Sequence, residues 1–386
     1  MTTIPPRRAV SAAAGQCARP YLYGEEEIAV AEVLRGGYYA HGVVTTQFER
    51  EIAKFLGVPD AVAVSSGTVA LQIALRAAGV GSGDEVIVPS LTFCATVQAI
   101  VACGARPRFI EVNANTLCVE PAAVAQAITS RTRAVVPVLY GGRAIDLTSL
   151  DDVLTDQGID IVEDAAHAFG SFEGTVRVGA SGKLTCFSFG PIKSLTCGQG
   201  GMVIPRDRRE GRIARSLRNL GIVQSADQRA AATTYMVDGH GLRAQMSNLN
   251  AAVGRVQLAH FPQAMAQRKA LWTSYELALR TIDDVAVVDV DVEHSTPSMC
   301  VVRLPEQFRK RVFGLLKEKG VGVGVHYPPN HLQPAFEALD HRSLPVTELV
   351  ARQILTLPFH QRLTTSDVVQ IAGLLEQALA TAKAAR

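Results

Sequence analysis

Three short stretches of this chain place reactive side chains where an apolar strand runs out. Residues 186–201 read Cys-Phe-Ser-Phe-Gly-Pro-Ile-Lys-Ser-Leu-Thr-Cys-Gly-Gln-Gly-Gly. The strand breaks at Gly190-Pro191, a pair that cannot continue a regular ladder, and the break presents a single lysine, Lys193. A lysine fixed on a turn past a strand end can form a Schiff base with a carbonyl compound. Read alone, it is also an ordinary solvated loop lysine. Residues 160–164 form a second strand, closing on Asp164. That carboxylate could pair with a cationic ring nitrogen, or cap a helix starting at Ala165-Ala166-His167. Residues 61–65 form a third strand, which runs into Ser66-Gly67-Thr68 and then a helix over 69–78. Backbone N–H groups at such a helix start suit a phosphate, although Ser65 or Ser66 could equally be a plain cap.

Taken together, these features fit the demands of pyridoxal 5'-phosphate (PLP). That cofactor needs a lysine to carry it, an acid to keep its pyridine nitrogen protonated, an anchor for its phosphate and a flat group against its ring. Lys193, Asp164 and the Ser66-Gly67-Thr68 turn supply the first three. Phe93 could stack on the ring or belong to the core, and Ser188, five residues before Lys193, could reach the phosphate. To move protons, Lys193 must titrate well below the ordinary lysine value of ~10.4, which desolvation and a nearby cation would achieve.

The elements that must position these groups alternate between strand and helix. Strands are expected at 85–89, 108–112, 134–139, 160–164, from 186 up to the break at Gly190-Pro191, and 202–205, with helices between most of them. Strands that are apolar throughout imply a mostly parallel sheet covered on both faces. In such sheets ligands gather at the carboxyl ends of the strands. The Ser66-Gly67-Thr68 turn, Thr92-Phe93, Asp164 and Lys193 all lie just past such ends. Residues 221–241 read as a long loop. Phe261-Pro262 reads as a break before a helix over 265–280, and the remainder as a βαβ-like, smaller α+β domain with a strand through 321–326. The expected division is a loose N-terminal segment (1–22), a large domain (23–260) and a small C-terminal domain (261–386).

Composition narrows the class. A formal net charge of +2 gives no footprint for nucleic acid or a membrane surface. No stretch approaches the ~20 apolar residues of a membrane span. Residues 9–14 are too short and interrupted for the apolar core of an export signal. The seven cysteines contain no C-x-x-C pair, and the nine histidines no metal-binding spacing, so buried thiols, no metal and a cytoplasmic location are expected.

Ordered motifs then extend the reading. Ser65 to Thr68, Gly83 to Ser90, Glu163 to Ala168, Ser188 to Lys193, Met246 to Ala252 and Val325 to Pro334 together resemble the DegT/StrS family of PLP-dependent aminotransferases. The resemblance runs from about Tyr23 to the C-terminus. It implies an α/β fold-type I architecture, with a mostly parallel seven-stranded central sheet, helices on both faces and a smaller C-terminal α+β domain. It implies Lys193 and Asp164 as the catalytic pair, with Gly67, Thr68 and Ser188 on the phosphate and Phe93 on the ring. His167 stands where members usually carry glutamine beside the cofactor's phenolic oxygen. Arg243 stands where they carry an asparagine that serves the partner subunit's phosphate. Gln199 replaces a common acid, and His41-Gly42 replaces the usual Gly-Pro of the early substrate loop. His41, His326 and Tyr327 are the implied substrate contacts, with a structural role for His326 left open. Lys193 itself argues against the related sugar dehydratases, in which histidine replaces the lysine.

The implied function is transfer of an amino group from an amino acid, glutamate by preference, to C3 or C4 of a nucleotide-linked keto-deoxyhexose. The implied assembly is a homodimer with active sites at the subunit interface. Two other readings stand beside it: an aminotransferase for a cyclitol or another non-nucleotide ketone, and a PLP-binding, non-catalytic regulator.

Overall fold

The computed structural model describes residues 10–224, 226–340 and 342–384. Its central sheet has seven strands: β1 (Val62–Val64), β2 (Glu85–Pro89), β3 (Arg106–Ile110), β4 (Thr132–Val135), β5 (Asp160–Asp164), β6 (Leu184–Ser188) and β7 (Gly201–Ile204). Their order across the sheet is β1-β7-β6-β5-β4-β2-β3. All neighbours from β6 to β3 are parallel, and only β7 runs antiparallel, to both β6 and β1. β1 therefore points the same way as β6, so Val64, Pro89, Asp164 and Ser188 end at one edge of the sheet. That is the mostly parallel α/β architecture expected.

Both faces are covered, which explains strands without polar alternation. Val86, Val88, Val162, Cys186 and Val203 pack into one core with Leu71, Ile73 and Leu75 of the helix Gly67–Ala77. Ile87, Phe187, Met202 and Ile204 pack into the other with Phe48 and Ile52 of the helix Val43–Leu56. Period-two side-chain alternation along each strand is thus spent on two apolar faces.

A second, three-stranded sheet is antiparallel in the order β8 (Ala286–Val287), β9 (Cys300–Arg303), β10 (Ile354–Leu357). It shares a core with the helices Glu306–Glu318 and Thr365–Ala384. This corrects the βαβ-like reading of the C-terminal part. Residues 321–326 form no strand, only a single bridge from Gly324 to Thr356, and β10 takes the place beside β9.

Residues 321–326 are shared between two partners, β10 through Gly324 and the N-terminal segment through Gly322. Residues 14–17 lie against Gly322, where an added Cβ would sit 2.5 Å from the Gln16 backbone. Gly322 N–H donates to the Ala14 carbonyl (2.8 Å) and Phe359 N–H to that of Cys17 (2.8 Å). The N-terminal segment is accordingly not loose over residues 10–22: Ala14 is fully buried. Residues 1–9 of that expectation lie outside the described residues.

Two further expectations shift. The break expected at Phe261-Pro262 falls at His260, between the helices Asn248–Ala259 and Phe261–Leu279, and Pro262 sits in the first turn of the second, where its missing N–H costs nothing. Residues 221–241 are not featureless, since they pair Ile222 with Val237 and carry the short helix Ala226–Ala230. No helix among the described residues is long and apolar enough to cross a membrane, and no His/Cys/Asp/Glu cluster there could hold a metal ion.

Candidate active site

Asp164 ends β5 with its backbone tied on both sides: its N–H donates to Pro137 (2.9 Å) and its carbonyl accepts from Leu139 (3.0 Å). The side chain is buried. Oδ2 accepts from the Thr96 hydroxyl (2.7 Å) and Oδ1 from the Ala166 N–H (3.1 Å). The second bond makes a tight Asx turn, so Asp164 does not cap a regular helix. Because Thr96 spends its proton on Asp164, the Thr92 hydroxyl, 3.0 Å from Thr96 Oγ1, must donate to it. Burial raises the proton affinity of Asp164, while Thr96, Ala166 and the charge of Lys193 oppose the rise. Thr96 was not among the residues singled out by the sequence. Its signal was the Thr92-x-x-x-Thr96 spacing at the start of the helix Cys94–Ala102.

Lys193 sits on the turn after β6, its N–H donating to Gly190 (3.2 Å). Desolvation lowers its proton affinity below that of an ordinary lysine, and Asp164 pulls the other way. Lys193 and Asp164 thus feel each other's charge without forming a direct ion pair among the described residues.

The phosphate-sized feature lies at the neighbouring strand ends. Ser66 caps the helix Gly67–Ala77, its Oγ accepting from Val69 N–H (3.3 Å). The N–H groups of Gly67 and Thr68 precede the first intrahelical donors and keep their positive ends outward. A Cβ on Gly67 would come 2.6 Å from the Cβ of Ser188. Only glycine lets the Ser188 hydroxyl meet the helix start this closely. Thr68 is exposed.

Aromatic groups and imidazoles close the other side. His167 is buried, and its Nε2 lies 3.1 Å from the Tyr327 hydroxyl with the two rings stacked. Burial first, then the Lys193 and His326 charges, hold His167 well below the usual histidine range, so it is neutral. Phe93 is 55% exposed, which excludes a core role, and its ring lies 5.6 Å from that of Tyr327. His326 is tied through Nδ1 to Thr356 Oγ1 (2.9 Å), and its carbonyl accepts from the buried Tyr140 hydroxyl. Tyr140 carried no signal in the sequence, as it merely extends an apolar run.

The remaining candidates are placed elsewhere. His41 Nε2 accepts from the Arg218 guanidinium (3.2 Å), a group that can only donate. Arg218 is in turn paired with buried Glu49 and with the Ala63 carbonyl (2.7 Å). Burial and the Arg218 charge bring His41 down to about 4. No contact joins it to Lys193, Asp164 or His167 among the described residues. Arg243 is exposed on a segment bridged to Asn219.

The residues present fit PLP. There is a desolvated amine on a turn, a buried carboxylate kept ionisable by two donors, a helix start facing a hydroxyl, and an exposed aromatic face. The arrangement can hold a flat, anionic carbonyl compound and move a proton at Lys193.

Comparison with known proteins follows the same line. The DegT/DnrJ/EryC1/StrS aminotransferase family model matches residues 20–376. The fold is similar to the aminotransferase TlmJ from Streptoalloteichus hindustanus (TM-score 0.88, 33% identity, covering 95% of this chain and 99% of that one). It is similar to DesV of S. venezuelae, solved in complex with a ketimine intermediate (TM-score 0.86, 33% identity, 94% and 99% covered). It is also similar to DesI, solved in the presence of its TDP-sugar product (TM-score 0.86, 28% identity, 98% and 95% covered).

Proposed function

Since the chain belongs to the DegT/DnrJ/EryC1/StrS aminotransferase family and is a PLP-dependent aminotransferase, we propose that it aminates a keto-sugar. The acceptor is a nucleotide-linked 3- or 4-keto-deoxyhexose and the donor L-glutamate. DesI, with its TDP-sugar product, supports the acceptor class.

The observation that carries the chemistry is the placement of buried Asp164 and desolvated Lys193, each feeling the other's charge, at the ends of neighbouring strands. When bound, PLP supplies an electron-withdrawing ring that makes the α-proton of an attached amine acidic. Asp164 holds the proton on the ring nitrogen, and its charge is kept by the Thr96 hydroxyl and Ala166 N–H. Lys193 takes and returns the substrate proton at Nζ. Its lowered proton affinity raises the fraction of neutral amine available at neutral pH. Gly67, Thr68 and Ser188 hold the phosphate, and Phe93 covers one face of the ring. His167 meets the cofactor as a neutral group.

The proposal includes a homodimer in which Arg243 reaches the partner subunit's site, the division at 22/23 and 260/261, and a cytoplasmic setting. Cysteines buried in apolar cores, such as Cys186, Cys197 and Cys300, suit that setting. The test is optical. PLP-loaded protein should lose the absorbance of the lysine-bound cofactor on adding L-glutamate and regain it with a keto-deoxyhexose nucleotide. Regain with a cyclitol ketone but with no keto-sugar nucleotide would move the acceptor to that class. No bleaching by L-glutamate would remove the donor assignment.

A further inference from the structure

A cavity of about 600 Å³ opens beside the lysine turn. One wall is residues 16–20 and the other is Ile192, the neighbour of Lys193, with His326. Ile192 is the chain neighbour of Lys193 and His326 senses the Lys193 charge, so the cavity lies beside the lysine turn. The wall carries one guanidinium, Arg19, and no acidic residue.

Three features set Arg19 apart from an ordinary surface arginine. It is half-buried, yet among the described residues no ion pair or hydrogen bond engages its side chain. A group that feels its charge, His360, is an imidazole whose protonation it disfavours. The backbone around it is also fixed. The carbonyl of Ala13 accepts from His360 Nε2 (3.0 Å), that of Cys17 from Phe359 N–H (2.8 Å), and that of Tyr21 from Gln257 Nε2 (2.8 Å). A cation on a pinned rim, without a partner among the described residues and lining a cavity beside the lysine turn, is preorganised for an anion.

We propose that Arg19 binds an oxyanion of an incoming substrate at the mouth of the active site. This rests on the aminotransferase reading above, in which both substrates are anionic. The shared chemistry is a planar or tetrahedral oxyanion accepting two N–H groups of one guanidinium. Its source is a carboxylate of the amino donor or a phosphate of the nucleotide-linked acceptor. Arg19 is thus a specificity-determining residue contributed by the N-terminal segment. That role accounts for a segment of small residues being tied so firmly against Gly322.

Calorimetric titration of PLP-loaded protein at low salt tests this, with succinate standing for the donor and inorganic pyrophosphate for the nucleotide. Bound cofactor keeps pyrophosphate off the Gly67–Ser188 site. No turnover is involved, so failure of the glutamate or keto-sugar assignment leaves the readout intact. In Arg19→Gln the affinity for at least one probe should fall by about tenfold or more, as for loss of a charge-assisted pair. Loss for succinate alone assigns the donor carboxylate, loss for pyrophosphate alone assigns the acceptor phosphate, and loss for both assigns a rim shared by the two substrates. Arg19→Lys, which keeps the charge but not the fork, should retain part of the affinity. Unchanged cofactor absorbance and thermal midpoint confirm that each variant is folded. The proposal is overturned if wild-type protein binds neither probe, or if Arg19→Gln binds both within about two-fold of wild type.

Discussion

Replacing Thr96 with valine removes one hydroxyl and almost no volume. The deleted group donates to Asp164 Oδ2 at 2.7 Å in a buried setting. A hydrogen bond to a charged acceptor contributes about 1.5–3 kcal/mol, and 1.36 kcal/mol corresponds to about one pKa unit. Deleting the donor therefore raises the proton affinity of Asp164 by about 1–2 units. The sign follows from which form the bond favours. Thr96 stabilises the carboxylate, so without it the carboxylate is lost at higher pH. Because Asp164 and the ring nitrogen titrate as a pair, the observable is an apparent value for that pair. The acid limb of the rate profile should move up by about 1–2 units, equivalent to a roughly 10- to 100-fold lower rate at a fixed pH on that limb. The assay is the pH dependence of glutamate-driven bleaching in single turnover, with wild-type protein alongside. An unmoved limb in a Thr96→Val protein that binds PLP normally would refute the assignment of Asp164 as the ring-nitrogen partner held by Thr96.

Other consequences can be checked independently. Gly322→Ala places a Cβ 2.5 Å from the Gln16 backbone, so it should dislodge the N-terminal segment, uncover Ala14 and speed chymotrypsin cleavage at Tyr21. Cleavage as slow as in wild type would mean that the segment is held by something else. His41 is depressed to about 4, from about 6.5 in an unfolded chain. Its neutral form therefore contributes stability that is complete above about pH 6.5 and is lost as pH falls toward 4. Urea unfolding between these values should show a shallower pH slope for His41→Asn than for wild type. Tyr327→Phe should leave His167 Nε2 without its partner and shift the cofactor's absorbance spectrum. An unchanged spectrum would separate the His167–Tyr327 pair from the cofactor.

How much of this was legible in the sequence depended on how local the cause was. The seven-stranded sheet and its site edge were legible because apolar strands ending in Asp164, in Ser188 and at Ser66-Gly67-Thr68 carry their own punctuation. Lys193 was legible because Gly190-Pro191 ends a strand directly before it. Thr96 was not, since its partner is 68 residues away and a threonine at a helix start has an ordinary local explanation. The N-terminal segment was misread because Ala12 to Ala14 carry little hydrophobic weight of their own. What fixes them is the absence of a side chain at Gly322, together with backbone bonds to Gly322 and Phe359. Pro262 was legible as a boundary, but the helix there starts at Phe261 rather than near 265, because a proline excluded from a helix interior is tolerated in a first turn. His41 was legible as chemistry-bearing, but its engagement by Arg218 and Glu49 is a tertiary contact across distant segments.

The chemistry turns on which residue carries the cofactor. Reducing the PLP-loaded protein with borohydride and mapping the digest by mass spectrometry should place the pyridoxyl label on the peptide containing Lys193, with prior exposure to L-glutamate removing most of it. A label on any other lysine, or none on Lys193 in protein that has taken up PLP, would contradict the account.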